Sequence, residues 1–328
     1  PHGQVSAVRK RALPSYRSCF RLHLKLSIPI TIISLTVSMV YFIDISTVIG
    51  LLDDRVGYSE AKAQLGILTG KAQSLAGIPP ILAIALGTSA VPVISAAFAR
   101  GERAVVANQT SLALRLSLVT GFPAVLVLTV AAEAVIGFLF SDAVGWEIAA
   151  MLTATTIFQI VMMTSASVLM GLGQTVAPML YVAVGLAVKL IGNLTLGRAF
   201  GMAGILTATW LCLLLIMALN LLRLRRLVDY RILGDRWPGF LLTAAVTTAA
   251  GIGLVALFDL PLFPGGRLGY LLEAATVGGA LALLYALCLF RFRVVSEEDV
   301  RRLPAPLQKA LGPFRRRFLR VGRAERQE

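Results

Sequence analysis

Long stretches without a charged residue dominate this sequence. The longest extends from Ile148 to Val188. A helix that crosses the hydrocarbon core of a bilayer needs about 20 apolar residues, so this stretch is too long for one span. The glycines and proline between Gly171 and Pro178 break it into two helices, at about 148–170 and 176–197. The pattern therefore predicts a chain that crosses a membrane repeatedly.

Composition supports this prediction. Hydrophobic residues make up 57% of the chain and charged residues 15%, and the mean hydropathy is +0.80. A soluble domain carries about 25% charged residues. We therefore predict an all-α polytopic membrane protein with about eight transmembrane helices. The second lies within the uncharged stretch 72–99, and the others lie at about 28–50, 114–136, 148–170, 176–197, 201–222, 239–258 and 268–290.

The basic residues predict the orientation of these helices. Cytoplasmic segments of membrane proteins collect Lys and Arg. If both termini are cytoplasmic, 25 of the 31 basic residues lie on that side and five lie outside. Lys189 is the remaining one, inside the fifth helix. We therefore expect a multi-pass protein of the cytoplasmic (inner) membrane with both termini in the cytoplasm.

The same pattern divides the chain into four segments. Residues 1–27 form a basic cytoplasmic linker, 28–222 a six-helix lobe, 223–293 two additional transmembrane helices, and 294–328 a basic cytoplasmic tail. We expect the tail to bind anionic membrane lipid, with a protein partner as the alternative. The chain starts at Pro1 without a signal-peptide pattern, so we expect the true N-terminus to lie upstream.

Motifs for enzymatic chemistry are missing from the sequence. There is no phosphate-binding GxxxxGK[ST] loop, and the only histidines, His2 and His23, lie in the basic linker. The one adjacent carboxylate pair, Asp53–Asp54, falls on the outer side, whereas activated-sugar donors are cytoplasmic. We therefore expect no enzyme, no cofactor and no metal site, and the position of the positive charge argues against nucleic acid as a partner.

Ionisable residues at membrane depth are the strongest candidates for function. They are costly in the bilayer, and they usually line a cavity or pair with each other. Lys189 lies in the middle of the fifth helix, too deep to reach the interface, and Asp44 lies toward the outer end of the first. Lys71 opens the second helix, where it either reaches the interface or lines a cavity.

Prolines inside the predicted helices form a second candidate set. Pro79, Pro80, Pro92 and Pro123 interrupt backbone hydrogen bonding. They are predicted to be hinges of a transporter that opens alternately to each side. Ordinary tolerance of proline in membrane helices is the alternative.

Several motifs, taken in order, resemble a known superfamily. They are IPITIISLTVSMVYFID (28–44), GILTGKAQSLAGIPPILAIALGTSAVPVISAAFARGE (66–102), LRLSLVTGFPAVLVLTVAAEAVIGFLF (114–140), VLMGLGQTVAPM (168–179), VKLIGN (188–193), GMAGILTAT (201–209) and SEEDVRRLP (296–304). Together they resemble the polysaccharide-transporter branch of the MOP superfamily, most closely the stage V sporulation protein B type. ALGTSAVPVIS (85–95) is also similar to the MviN/MurJ-type lipid II flippases.

The resemblance implies half of a transporter. Such proteins have about fourteen helices in two lobes around a central cavity, and this chain resembles the second lobe plus two extra helices, without the first lobe. The resemblance implies a flippase for a lipid-linked saccharide, such as a polyprenyl-pyrophosphate precursor of the cell envelope. Its substrate cavity is expected to include Lys189, Lys71, Asp44, Asn193 and Gln73, with the lysines attracting the pyrophosphate.

Two other functions remain open at this point. One is a cation-coupled multidrug exporter of the same superfamily, in which Asp44 and Glu133 would matter more than Lys189. The other is a non-transporting membrane scaffold for envelope or spore assembly, which would depend on the basic tail.

Overall fold

The computed structural model describes residues 16–258, 266–292 and 294. Within these ranges the ordered elements are helices connected by short turns, and no strand is present. The predicted tail, apart from Val294, and the first 15 residues of the linker lie outside the described residues. The all-α fold class is confirmed.

Thirteen α-helices are found in the described ranges. In chain order they are α1 (Tyr16–Ser34), α2 (Thr36–Val56), α3 (Tyr58–Gly66), α4 (Gln73–Ala76), α5 (Pro80–Ala99), α6 (Arg103–Val130), α7 (Ala132–Phe140), α8 (Trp146–Gly171), α9 (Val176–Gly192), α10 (Arg198–Phe200), α11 (Met202–Leu227), α12 (Trp237–Phe258) and α13 (Arg267–Arg291). Two π-helical turns, Ile67–Ala72 and Asn193–Gly197, join α3 to α4 and α9 to α10, and a 3₁₀ turn, Gly234–Arg236, precedes α12.

Seven helical segments in the described ranges are long and apolar enough to cross a membrane. They correspond to seven of the eight predicted spans. The stretch 72–99, predicted to contain the second span, holds α4, which ends at Ala76, a turn at Gly77–Pro79, and α5. Proline has no backbone N–H to donate, so Pro80 is placed without cost at the first position of α5. The chain is therefore a multi-pass membrane protein in which one crossing is a broken helix.

The turns gather at two opposite ends of the helices. At one end, which we call the basic end, Arg223 donates to Gln174 at 2.8 Å and Arg236 donates to the Val294 carbonyl at 3.3 Å. At the other end Arg55 donates to the Arg198 carbonyl at 3.3 Å, Arg267 donates to the Phe138 carbonyl at 3.0 Å, and Lys71 pairs with Asp142. Successive helices that cross a membrane in opposite directions place their connecting turns in two such groups. Which end faces the cytoplasm stays a prediction.

Helix α8 is the centre of the bundle. It packs against α5, α6 and α11, and it is the most buried of the seven long segments. Helix α9 packs on α11, and α2 contacts α9, α11 and the second π-helical turn.

The last two helices attach to α6 and α7. The ring of Phe122 packs against Phe240 at 5.4 Å and against Tyr285 at 5.8 Å between centroids. The Tyr285 hydroxyl donates to the Val119 carbonyl at 2.9 Å. A helical pair beside a larger bundle is compatible with the predicted segments, whose boundaries stay predictions.

Candidate functional site

One face of α9 is buried against α11. Its buried residues recur every three or four positions, as on one side of a helix: Pro178, Val182, Gly185, Lys189 and Gly192. A methyl carbon added at Gly185 would lie 2.3 Å from Ile216 Cγ1, and one added at Gly192 would lie 2.7 Å from Ala208 Cβ. The two helix backbones therefore approach closely on either side of Lys189, as small residues permit in membrane helices.

Lys189 is fully buried on this face. Its Nζ lies 2.5 Å from Asp44 Oδ1, 2.7 Å from Thr209 Oγ1 and 3.0 Å from the Ile205 carbonyl oxygen. An ammonium group has three N–H donors and no acceptor. All three donors are therefore used by oxygens of α2 and α11. Because α9 and α11 approach closely, the Ile205 carbonyl can accept this hydrogen bond from Lys189 although it also belongs to the backbone of a helix.

The carboxylate of Asp44 continues this network. Asp44 is fully buried, and its Oδ1 also accepts from Asn193 Nδ2 at 3.0 Å. Asn193 Nδ2 in turn lies 2.9 Å from Thr47 Oγ1, whose hydroxyl donates to the Ile43 carbonyl at 2.7 Å. Asp44 Oδ2 and Asn193 Oδ1 have no hydrogen-bond partner among the described residues. The site therefore offers more acceptor oxygens than its own donors fill.

The network joins three helices with one ion pair. Asp44 comes from α2, Lys189 from α9 and Thr209 from α11. A buried charge without its partner is strongly unfavourable, so the pair opposes the separation of α2 from the other two helices. The arrangement is suited to fixing one packing of the lobe. Within the described ranges, no group of three His, Cys, Asp or Glu residues could hold a metal ion.

Lys71 lies at the opposite end from the basic end and makes different contacts. It pairs with Asp142, its Nζ lies 3.2 Å from the Val144 carbonyl oxygen, and it sits 5.6 Å from the centre of the Phe140 ring. The hydrogen bond from Lys71 holds the pKa of the Asp142 carboxyl below its usual value, and the Val144 N–H at 3.0 Å adds to this effect. These contacts fix the turn before α8 to the first π-helical turn.

The predicted cavity residues are thus only partly brought together. Lys189, Asp44 and Asn193 share one network. Lys71 instead pairs with Asp142, and we call this ion pair the clamp. Gln73 is half-buried, and its Nε2 has no hydrogen-bond partner among the described residues. A substrate-binding role for the five residues stays a prediction.

The predicted hinges lie in two different settings. Pro79 and Pro80 lie at the break between α4 and α5, where the backbone direction can change. Pro92 and Pro123 lie inside α5 and α6, which continue through them. Their function as hinges is not tested by this single conformation.

Sequence reasoning missed the oxygen partners of the ion pair. Thr209 and the Ile205 carbonyl lie one helical turn apart in GMAGILTAT, and Thr47 lies three residues after Asp44. The sequence shows that Thr209 lies one helical turn after Ile205. It cannot show that the backbone carbonyl of Ile205 accepts a hydrogen bond from a lysine on another helix. The two π-helical turns were also missed, and such turns are frequent at functional sites. One contains Lys71 and the other begins at Asn193.

Helices of this number and order, seven of them long and apolar enough to cross a membrane, define a polytopic helical membrane protein. A solved structure has the same fold: "Lipid II flippase MurJ, inward closed conformation", with a TM-score of 0.58, 14% sequence identity, and coverage of 85% of this chain and 56% of that chain. At this identity the likeness establishes the fold alone.

Two curated relatives come from Bacillus subtilis (strain 168). The "Uncharacterized membrane protein YabM" is 28% identical over 286 residues, which is 85% of this chain and 52% of YabM. The "Lipid II flippase MurJ" is 23% identical over 309 residues, which is 90% of this chain and 56% of that protein. No family model matches the chain.

These relatives confirm the predicted resemblance to flippases of the MurJ type. The chain spans about half the length of the curated relatives it matches, which is consistent with one lobe. The closer likeness to the sporulation type stays a prediction.

Proposed function

We propose that this chain is the second lobe of a flippase that moves a lipid-linked saccharide across the cytoplasmic membrane. The observation that carries the proposal is the fold match, which covers 85% of the chain but 56% of a lipid II flippase structure. A second observation supports it: the relative named MurJ is similar in sequence over 90% of the chain. The reaction is a movement between leaflets, so the proposal includes no enzymatic step.

The proposed mechanism is alternating access between this lobe and a first lobe. A headgroup carrying a pyrophosphate would be attracted by cationic groups in the cavity between the lobes, while its polyprenyl chain stays in the bilayer. An ammonium group suits phosphate as a point charge. The broken crossing at Gly77–Pro79 supplies a place where α5 can tilt against α4.

In the conformation described here, Lys189 cannot bind such a substrate. Its three donors are already used, and its side chain is fully buried. We propose that the pair with Asp44 holds the lobe in this state, and that Lys189 meets phosphate only when α2 moves away. The substrate then replaces Asp44 as the anion beside Lys189.

A leaflet assay tests the proposed function. In the native cell, loss of the gene should cause a lipid-linked saccharide to accumulate in the inner leaflet, measured as precursor inaccessible to an impermeant probe added outside. Normal appearance of that precursor outside would contradict the proposal. The purified 328-residue chain alone should show no flipping above empty liposomes, because the proposal assigns the other cavity wall to a first lobe. Robust flipping by the chain alone would show either that two copies form a full cavity or that the two-lobe interpretation is wrong.

Cysteine labelling tests the proposed orientation. With the native cysteines replaced, cysteines placed at Ser59 and Asp142 should react with an impermeant reagent from outside. A cysteine at Gly234, at the basic end, should react only from inside. Labelling of a cysteine at Gly234 from outside would show that the predicted topology is wrong.

No observation on the described residues favours the exporter or the scaffold alternative over the flippase. In the exporter alternative, a carboxylate should face a cavity, but Asp44 is fully buried and paired with Lys189. The scaffold alternative rests on the basic tail, which lies outside the described residues. Deleting the tail while keeping the helices would separate the scaffold from the flippase, since only a scaffold loses its whole function.

A further inference from the structure

A cavity opens at the basic end of the bundle, where three turns meet. Its volume is about 760 Å³, and it lies between the turn after α5, the turn after α8 and the end of α11. Ligand-binding pockets typically measure about 300–1,000 Å³. The cavity is therefore large enough for a small organic ligand. It does not include any of the five predicted cavity residues.

The lining combines an apolar floor with a polar rim. Val106, Leu172 and Val228 are buried apolar residues of the floor. The polar residues of the lining are Arg103, Gln174, Arg226 and Asp229. An apolar surface with a few convergent polar groups is the usual composition of a site for a small ligand.

The arginines near the cavity fall into two groups. Arg100 pairs with Glu102 at 2.6 Å, and Arg223 donates to Gln174 at 2.8 Å. Arg103 and Arg226 line the cavity, and their guanidinium groups make no ion pair or hydrogen bond with any residue in the described part of the chain. Gln174 is held in position by Arg223. Two arginines whose guanidinium groups have no partner among the described residues therefore line the same space, one from α6 and one from α11.

We propose that this cavity binds a phosphate-bearing anion through Arg103 and Arg226. The planar guanidinium group presents paired donors that match phosphate oxygens, and two such groups exceed the single carboxylate of Asp229 in the lining. Gln174 adds a neutral hydrogen-bonding group at the rim, and the apolar floor accommodates the carbon part of the ligand. The phosphate is carried either by a lipid headgroup or by a soluble molecule. The site contains none of the five residues predicted for the transport cavity, and its test does not depend on flipping.

The experiment measures binding to the purified full chain in detergent. One arm titrates inorganic pyrophosphate by calorimetry, and the other measures retention of phosphatidylglycerol by native mass spectrometry, with phosphatidylcholine as the neutral lipid. The test variant is Arg103→Gln/Arg226→Gln. Each arginine should contribute at least tenfold to the dissociation constant, about 1.4 kcal/mol. Both residues are exposed, so the variant should keep the parent's thermal stability.

A matched control has the same change of net charge. Arg17→Gln/Arg225→Gln removes two exposed arginines, one of them next to Arg226, and neither lines the cavity. Pyrophosphate binding that is lost in the test variant and kept in the control supports the site with a soluble phosphate. The same pattern for phosphatidylglycerol alone supports it with a lipid headgroup. Equal losses in both variants, or binding of neither ligand to the parent, would overturn the proposal.

Discussion

Breaking the Asp44–Lys189 pair one partner at a time tests whether the lobe depends on it. Lys189→Met removes the charge and keeps a long side chain, and Asp44→Asn removes the opposite charge and keeps the carbonyl that accepts from Asn193. Both positions are fully buried, so neither remaining charge can be solvated. Each single change should therefore destabilise the chain, whereas the double change should restore much of the stability.

The magnitude follows from the geometry. At 2.5 Å between Nζ and Oδ1, an effective dielectric constant of about 20 gives an attraction of about 7 kcal/mol. Desolvating two ions costs several kcal/mol each, so the net contribution of the pair is small. Removing one partner leaves the desolvation cost without the attraction, which typically costs about 3–5 kcal/mol. In Lys189→Met, the Thr209 hydroxyl and the Ile205 carbonyl also lose their shared donor.

Unfolding in mixed detergent and dodecyl sulfate micelles measures these effects. Trp210 is a built-in fluorescent probe, because it follows Thr209 and packs edge-on against Phe158 at 5.9 Å between centroids. Because the double variant should lose less stability than either single variant, the coupling free energy of the cycle should be at least about 3 kcal/mol, at the top of the range found for contacting residues. A double variant that loses as much stability as the two single variants together would refute the interpretation that the ion pair holds the three helices together. A Lys189→Met chain as stable as the parent would refute it as well.

Two further predictions concern packing and pH. Gly204→Ala places a methyl carbon 1.9 Å from the Leu196 carbonyl oxygen, so it should destabilise the chain by about 1–3 kcal/mol in the same unfolding assay, whereas Gly279→Ala, with nothing within 4 Å, should not. The pKa of Asp142 is lowered by the hydrogen bond from Lys71, so the stability of that clamp is present above the ordinary carboxyl pKa and is lost as pH falls through the lowered value. Protection of the amides in the turn at 141–145, taken as the ratio of the intrinsic to the observed exchange rate, should therefore fall at acid pH in the parent, and Asp142→Asn should make this protection low at every pH.

The sequence predicted most of the fold because lipid restricts what a chain can do. Backbone polar groups have no water to bond within the bilayer, so each long apolar stretch must be a helix. Seven predicted spans correspond to helical segments for this reason. Hydropathy placed the second span only within 72–99, because it cannot distinguish a continuous helix from one broken at Gly77–Pro79, although the adjacent prolines marked the position.

The candidate site was predictable only in part. Burial cost alone identified Lys189 and Asp44 as residues that need partners, and their pairing was one of the two outcomes the sequence allowed. Spacing could not select between pairing and an open cavity, since the two residues lie 145 positions apart. The cavity at the basic end was not predictable, because Arg103, Gln174 and Arg226 meet only after three turns come together.

The two functions proposed for Lys189, holding these helices together and binding the anionic substrate, place opposite demands on it. The first demands that all three donors be filled, as Asp44, Thr209 and the Ile205 carbonyl fill them here. The second demands that at least one be vacated when the substrate arrives. Both demands are met by a single group only if Asp44 leaves with α2 while Thr209 and Ile205, both on α11, stay. Helix α9 packs closely on α11 at Gly185 and Gly192, so α2 is the helix that we propose to move. Substrate binding at Lys189 is therefore expected to compete with Asp44 and to require displacement of α2.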